Sequence, residues 1–415
     1  MTFILPVWKL MRLLLLLLSF ISFNGACNEL KFDGFATLSM TLTDSENAGI
    51  RQHITQPHAT YKDEIGFSTS SLGFQLEWQA TPELQFVGQV LLKDHEEQNI
   101  DNALQMAFVR YLPSANWQIR LGRTGLDLFM MTEHRDIGYT YTFDHPPTEF
   151  YAIVPHQNID GADIKYTFSQ EHGLLSAKFF AGRSTAPIVS DDNFFWDVEI
   201  KSLYGVVLQW ESLDWTLRVN HTITKAGNEN EQQLQLQAAL AQVPDEVWPT
   251  KASLLDSLHI IGKRFDYTAI GARYDNNQWF FQSEMSYIDS NSQVLNDLTA
   301  GYIGVGSYYG DHTIMATFAH AKSNNRTPAR PLVSTPQLDL LYNTLIRHTN
   351  FYLIDQSTFS LTLRSELSES LAIKVQLDHT NTESLPSAFY LHQGLTGSNL
   401  DTDFNTLGIS LNWVF

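Results

Sequence analysis

The sequence is poor in cysteine, in basic residues and in long apolar runs. Cys27 is the only cysteine, so the chain can form no internal disulfide. The 26 lysines and arginines are outnumbered by 45 aspartates and glutamates, which gives a net charge of −19. This acidity argues against nucleic-acid binding, which needs a basic face. Beyond residue 26, no apolar run is long enough for a helix that spans a membrane.

The first 26 residues have the order of a secretory signal peptide. Lys9 and Arg12 precede the apolar stretch 13–23, and small residues follow it. A membrane anchor is the alternative, but this stretch is too short to cross roughly 30 Å of hydrocarbon. We therefore predict a signal peptide at 1–26 and a single domain at 27–415. Removing the signal lowers the net charge to −21, because it contains two basic residues and no acids. A lipidated Cys27 remains a minor alternative.

Alternating apolar residues recur along the whole remaining chain. Clear examples are the segments 72–78, 204–210, 371–377 and 407–415. Their apolar positions fall at i, i+2 and i+4, so a helical template fits them badly and strands are favoured. A strand that faces lipid on one side and water on the other has this pattern.

The connections between these segments are short and long in alternation, which predicts sixteen strands. The seven short turns lie near residues 81–82, 113–115, 170–172, 212–214, 276–277, 310–311 and 368–370. The eight long loops lie near residues 43–64, 93–102, 124–158, 183–201, 225–263, 290–297, 321–355 and 381–402. An even strand count with turns on one rim and loops on the other is the plan of bacterial outer-membrane barrels. The last strand is then expected to pair with the first, residues 32–42, because lipid does not tolerate open edges.

The alternative is a soluble β-sandwich protein of several domains, or a secreted β-helix. A sandwich buries its apolar faces and needs no aromatic belt. In this chain, large aromatic residues concentrate at the ends of the predicted strands: Trp78, Tyr111, Trp117, Trp210, Trp215, Trp279 and Trp413. Because interfacial girdles have this pattern, we predict an all-β transmembrane antiparallel barrel with short periplasmic turns and long extracellular loops.

The stretch 119–151 resembles the start of the constriction loop in Gram-negative trimeric porins. It contains Arg-Leu-Gly-Arg at 120–123, Asp-Leu-Phe at 127–129 and Pro-Pro at 146–147. Phe-Asp-Gly-Phe at 32–35 and the terminal Phe415 also match the porin pattern. In contrast to that pattern, the fifth loop is long, and its portion 229–240 predicts a short helix.

The resemblance has definite implications for location, assembly and function. It implies an outer-membrane location, contact with lipids and lipopolysaccharide, and recognition of Phe415 by the barrel-assembly machinery. It implies a homotrimer, in which small outward residues such as Gly34 and Ala36 suit close packing. It also implies a third loop folded into the lumen and passive diffusion of small hydrophilic solutes and ions, without catalysis or a cofactor.

Strand parity divides the charged residues between lipid and water. With Trp117, Ile119 and Leu121 facing lipid, Gln118 and Arg120 face the lumen. A basic side chain on the lipid face would cost about 2–4 kcal/mol near the midplane, so this parity is enforced. The same alternation predicts six basic pore-lining residues: Arg120, Lys165, Arg218, Arg273, Arg364 and Lys374.

The predicted third loop supplies opposing negative charges. Its acidic residues are Asp127, Glu133, Asp136, Asp144 and Glu149. Basic and acidic walls facing each other at a narrow point create a transverse field that orients dipolar solutes and excludes apolar ones. The alternative is that these carboxylates only bind wall arginines and pin the loop, or lie in solvent. The overall acidity predicts some preference for cations, which the wall arginines could cancel locally.

Two other functions remain open. A substrate-selective porin, for an oligosaccharide or an anion, could stack sugars on loop aromatics, although these could equally pack the loop against the wall. Those aromatics are Tyr139, Tyr141, Phe143, Phe150 and Tyr151. An adhesin or phage receptor could instead use loops five and seven.

Metal binding and catalysis are weaker alternatives. Calcium could bind in the fourth loop to Asp191, Asp192 and Asp197. Another metal could bind His53 with His58, or His134 with His145, but these pairs lack the fixed close spacing of a metal site. No sequence motif supports a His and Ser catalytic pair, so we predict no enzyme and no metal.

Overall fold

The computed structural model describes residues 29–94, 99–189, 195–290, 292, 294–324, 327–350, 353–383, 389–392 and 401–415. The predicted signal peptide at 1–26, Cys27, and two of the candidate calcium ligands, Asp191 and Asp192, lie outside these residues.

Sixteen antiparallel strands form a closed barrel, as the alternation predicted. They are β1 (Glu29–Thr43), β2 (Ser71–Thr81), β3 (Leu84–Leu92), β4 (Leu104–Ser114), β5 (Trp117–Gly125), β6 (Asn158–Gln170), β7 (Gly173–Val189), β8 (Phe195–Glu211), β9 (Trp215–Ala226), β10 (Arg264–Asp275), β11 (Trp279–Ser290), β12 (Leu298–Tyr309), β13 (His312–Ser323), β14 (Asp355–Ser368), β15 (Leu371–Thr382) and β16 (Asp403–Val414). Consecutive strands pair with each other, and β16 also pairs with β1. A separate pair of two-residue strands, Ala48–Gly49 and Leu391–His392, joins the first and last loops.

The closing seam depends on a glycine beside the terminal aromatic residue. Gly34 and Phe415 exchange two backbone hydrogen bonds, with N···O distances of 2.7 and 2.9 Å. A Cβ atom at position 34 would lie 2.2 Å from Cε2 of the Phe415 ring. The ring therefore covers the glycine. Pairing of the first and last strands leaves no free sheet edge, whose unpaired backbone groups would promote aggregation in water and lack hydrogen-bond partners in lipid.

Burial follows the predicted parity of the strands. On β14, Phe359 and Leu361 are exposed on the outer face, whereas Thr362 and Arg364 are buried on the inner face. A barrel with apolar side chains outside and polar side chains inside is suited to lipid around it and water within it. Among the described residues, no helix is long and apolar enough to cross a membrane.

The prediction of a long loop at 183–201 is wrong. Strands β7 and β8 each contain 17 residues and continue through most of this segment. Residues 184–189 pair with residues 195–200, and Pro187 lies opposite Asp197. The buried residues Ala186 and Ile188 alternate as in any strand, but Pro187 between them made the segment resemble a loop, since proline is rare within strands.

Helices occur in the loops rather than in the wall. The short ones are α1 (Ile100–Ala103) and α2 (Thr148–Tyr151), with a 3₁₀ turn at Gly138–Thr140. The longer ones are α3 (Glu231–Ala241), α4 (Lys251–Leu258) and α5 (Pro336–Thr349). Helix α3 confirms the helix predicted in the fifth loop, and Asn230 caps it by accepting a hydrogen bond from the backbone N–H of Gln233. The other two longer helices were not predicted.

The three longer helices share one apolar cluster at the rim where β9 ends. Leu240, Trp248, Leu258 and Leu345 are fully buried there, and Ala226 at the end of β9 belongs to the same cluster. We call α3, α4 and α5, together with the other residues of this apolar cluster, the helical cap.

Candidate pore constriction

The third loop, residues 126–157, folds into the lumen. Its Met130 N–H donates to Glu284 Oε2 on β11 at 2.8 Å, and its Asp144 N–H donates to Gln376 Oε1 on β15 at 2.9 Å. Both wall residues are buried on the inner face. The loop therefore contacts strands far apart around the barrel and narrows the space between them.

Asp127 anchors the start of this loop to two wall cations. Its carboxylate oxygens lie 2.9 Å from Lys178 Nζ on β7 and 2.6 Å from Arg218 Nη2 on β9. Burial alone would raise the pKa of Asp127, but the Lys178 and Arg218 charges lower it well below its ordinary value. Asp127 is therefore ionised in this buried network.

Arg120 links the wall to the loop at a second point. Its Nε lies 2.8 Å from Asp163 Oδ2 on β6, and its Nη1 lies 2.8 Å from Glu133 Oε1 in the loop. The side chains of Arg120 and Asp163 are 2% and 1% exposed, whereas that of Glu133 is 56% exposed. Glu133 is thus a loop carboxylate that faces open space in the lumen. Asp163 was not singled out from the sequence, although it alternates with Lys165 on the inner face of β6.

Of the three remaining loop acids, Asp136 and Glu149 are held by protein groups through their carboxylates. Asp136 Oδ1 lies 3.1 Å from Lys93 Nζ of the second loop. Burial would raise the pKa of Asp136, but Lys93 and Arg135 lower it overall. The buried Glu149 accepts hydrogen bonds from Gln356 and Thr358 of β14. Asp144 is buried too, and burial raises its pKa.

Two wall cations bind backbone carbonyls of the loop. Lys374 Nζ donates to the carbonyls of Gly138 and Phe143, at 2.5 and 2.6 Å. Arg364 Nη1 donates to the carbonyls of Tyr139 and Tyr141, at 2.6 and 2.7 Å. These basic side chains hold the loop in place and are buried beneath it.

The remaining two predicted wall cations lie elsewhere on the inner face. Lys165 lies opposite Lys178 in the register of β6 and β7. Arg273 lies opposite Gln282 in the register of β10 and β11, and its Nη2 is 3.0 Å from Asp275 Oδ2. The structure thus brings four of the six cations, Arg120, Arg218, Arg364 and Lys374, against the third loop.

Loop aromatics pack against an apolar part of the wall. The ring centroids of Phe129 and Tyr267 are 6.1 Å apart, and those of Phe150 and Tyr302 are 5.5 Å apart. Phe143 packs on the same Tyr302 ring at 6.1 Å. These rings belong to one buried apolar cluster, which includes inner residues of β7, β8 and β10 to β13 and which we call the apolar half of the lumen.

Of the five aromatics considered for sugar stacking, three are therefore buried in protein contacts: Phe143, Phe150 and Tyr151. The other two tyrosine rings each lie beneath a basic group. Arg364 Cζ lies 4.8 Å from the centroid of the Tyr139 ring, and Lys374 Nζ lies 4.1 Å from the centroid of the Tyr141 ring. These contacts favour the packing alternative over a stacking surface.

The opposite wall carries a ladder of polar side chains that was not predicted from the sequence. Gln89 donates to Gln75 at 2.9 Å, and Gln75 donates to Glu77 at 2.7 Å. Gln85 donates to the other oxygen of Glu77 at 2.8 Å and accepts from Arg110 at 2.6 Å. These residues lie on β2, β3 and β4, and we call this wall together with β5 the polar half of the lumen. The sequence contained a signal for this ladder, because each of these polar residues alternates with apolar residues that face outward.

The candidate metal-binding residues form other contacts. His53 lies 2.9 Å from Thr55 Oγ1, and His58 lies 2.8 Å from Asp94 Oδ1. Within the part of the chain that the structure describes, no group of three or more His, Cys, Asp or Glu side chains could hold a metal ion.

No protein-family model and no curated protein matches this sequence. Several solved structures share its fold. The outer-membrane channel DcaP of Acinetobacter baumannii is 10% identical, with 94% of this chain and 99% of that chain covered and a TM-score of 0.54. The anion-selective porin from Comamonas acidovorans is also 10% identical, with 94% and 100% covered and a TM-score of 0.54. Salmonella typhi OmpF is 12% identical, with 94% and 98% covered and a TM-score of 0.52. The chain has the fold of the outer-membrane porins.

Proposed function

We propose that this protein is an outer-membrane channel for passive diffusion of small hydrophilic solutes and ions, with the third loop as its constriction. The observation that carries the proposal is the exposed Glu133 carboxylate beside the buried Arg120, facing the lumen of a closed barrel. The amide and carboxylate groups of the polar half can replace part of a solute's hydration there. Charged side chains lining a pore set its ion selectivity.

The contacts of the loop acids indicate which of them pin the loop and which can act on ions in the pore. Asp127, Asp136 and Glu149 bind wall or neighbouring-loop groups, so they pin the loop. Glu133 combines such a bond with exposure, so it is the loop acid best placed to act on passing ions. Field focusing between low-dielectric walls strengthens its effect, and a preference for cations is the expected result.

Single-channel recording in planar bilayers tests this proposal. Under a salt gradient, the wild-type protein should give discrete conductance steps with a cation-selective reversal potential. Glu133→Gln removes the exposed lumen charge and should shift that potential toward zero. Glu246→Gln, at an exposed position between α3 and α4, is the matched control and should leave it unchanged. Absence of conductance, or identical potentials for wild type and Glu133→Gln, would overturn the proposal.

We further propose a homotrimer in the outer membrane, in contact with lipid and lipopolysaccharide and assembled through recognition of Phe415. A structure with this fold, in-vitro folded OmpT of Vibrio cholerae, is described as a trimer form; it is 11% identical, with a TM-score of 0.50. Because the Phe415 ring covers Gly34, Ala36 is the better placed of the two small residues for subunit packing. Native mass spectrometry from mild detergent would show three subunits, and a monomer alone would contradict this assembly.

A further inference from the structure

An apolar cavity of about 160 Å³ lies between the third loop and the helical cap. Leu128 and Ile153 line it from the loop, and Leu203 lines it from β8. Ile260 and Val294, which belong to the buried cluster of the helical cap, line it from the other side. Four separate parts of the chain therefore converge on one space inside the apolar half of the lumen.

The size and lining of this space indicate its occupant. The cavity is partly open and its lining is mainly apolar, so a small apolar molecule can reach it and gain free energy by burying its surface there. A cavity of about 150 Å³ lined by Leu, Ile and Phe in another protein stays dry and binds benzene. We propose that this cavity binds a neutral apolar molecule of the size of a monocyclic aromatic hydrocarbon.

The polar groups around the cavity favour a neutral occupant. His156 is buried, and its Nε2 donates to the carbonyl of Val198 at 3.0 Å. Burial lowers the pKa of His156 to about 4, so the ring is uncharged near neutral pH. Glu199 and Asp266 also contribute to the lining; Glu199 is an exposed residue, and Asp266 is paired with Arg264 at 2.6 Å. An anion would lose its hydration there without a positive charge among these described residues, and a cation would find only the Glu199 carboxylate, which is exposed to solvent.

This site is distinct from the proposed path for hydrophilic solutes. That path follows the polar half of the lumen, on β2 to β5, whereas the cavity lies against β7 to β11. Binding in the cavity requires the barrel, the third loop and the helical cap, but it does not require conduction. A protein without measurable conductance could therefore still bind the apolar ligand.

Fluorobenzene binding to the full barrel in lipid nanodiscs tests the inference, with ¹⁹F NMR as the readout and empty nanodiscs as the partition reference. The wild type should show saturable binding at one site per barrel, beyond the partition into lipid. Toluene should displace the probe, whereas benzoate and anilinium should not. Ile153→Trp, which fills the cavity from the loop side, should weaken binding at least about tenfold, corresponding to 1.4 kcal/mol.

Two further variants separate cavity filling from misfolding. Ile260→Phe fills the space from the cap side and should also weaken binding. Val305→Trp adds bulk on the exposed outer face of β12 and should bind as the wild type does. Circular dichroism and heat-modified gel mobility report whether each barrel is folded. Binding that only follows lipid content, or that persists unchanged in both folded cavity-filling variants, would overturn the inference. If neither variant folds, displacement of wild-type-bound probe by benzoate as readily as by toluene would overturn it.

Discussion

His145 of the third loop and Asp378 of β15 lie 2.9 Å apart, from Nε2 to Oδ2. Burial alone would lower the pKa of His145, but Asp378, with support from Asp144, raises it to about 9. The histidine is therefore protonated at neutral pH and forms a buried ion pair that ties the constriction to the wall. A loop held by titratable contacts should respond to pH.

The first prediction concerns that pH response. Because the folded pKa of His145 lies above its ordinary 6.5, its contribution is complete below about pH 6.5 and is lost as pH rises through about 9. Hydrogen exchange of residues 126–157 should accelerate between pH 7 and pH 10, after correction for intrinsic rates. Asp378→Asn should move this change to lower pH, and His172→Gln in an exposed turn should not. Identical profiles for wild type and Asp378→Asn would contradict the assignment.

The second prediction concerns the buried anchor at Asp127. Asp127→Asn leaves Lys178 and Arg218 buried without their carboxylate, which should lower the free energy of unfolding by about 3–5 kcal/mol. Denaturant unfolding in lipid vesicles measures this loss. The matched control is Asp355→Asn, which breaks an exposed pair with Lys322 and should cost less than about 1 kcal/mol. Equal losses in the two variants would show that burial of the network does not matter.

The third prediction concerns the closing seam. Gly34→Ala places a Cβ against the Phe415 ring and should destabilise the barrel by about 1–3 kcal/mol. The control is Gly88→Ala on β3, where a Cβ would meet nothing within 4 Å. The temperature at which the folded band is lost on gels should fall for Gly34→Ala alone. If Gly88→Ala lowered this temperature by the same amount, the loss of stability would come from replacing any strand glycine and not from the contact with Phe415.

The fourth prediction concerns the helical cap. Trp248 is fully buried, its Nε1 donates to the Ala329 carbonyl at 2.9 Å, and its ring packs near Tyr342. Trp248→Ala should destabilise the cap locally by about 3–5 kcal/mol and leave the barrel folded. Limited proteolysis of loops five and seven should speed up without loss of the barrel core. Leu234→Ala, which truncates a half-exposed residue of α3, should have little effect on cleavage.

The strand pattern of the barrel could be predicted because it obeys a strict local rule. On a strand with lipid outside, every second side chain must be apolar, so the period is visible without knowledge of partners. Strands β7 and β8 show the limit of this reasoning. There the alternation continues past Pro187, but a single proline obscured it, and the pairing of 184–189 with 195–200 depends on the neighbouring strand.

The identities of the charged residues in the candidate constriction could also be predicted, but their pairing could not. Parity placed Arg120 and Arg218 on the inner face, and the resemblance placed Asp127 and Glu133 in the loop. Which carboxylate meets which cation depends on the path of a loop of about thirty residues across the lumen. Asp163, the buried partner of Arg120, was missed because it lies on another strand, 43 residues away in sequence.

The sequence by itself determined the strand pattern of the barrel and the inward direction of wall residues such as Arg120 and Arg218, since the contrast between lipid outside and water inside acts on each strand locally. Only the tertiary structure decided that the third-loop aromatics pack into one apolar cluster with inner residues of several strands, that Glu133 is exposed while Glu149 is buried, and that a cavity lies between the third loop and the helical cap. Those features arise where segments distant in sequence meet, and their free energies depend on burial and distance, which no local pattern contains.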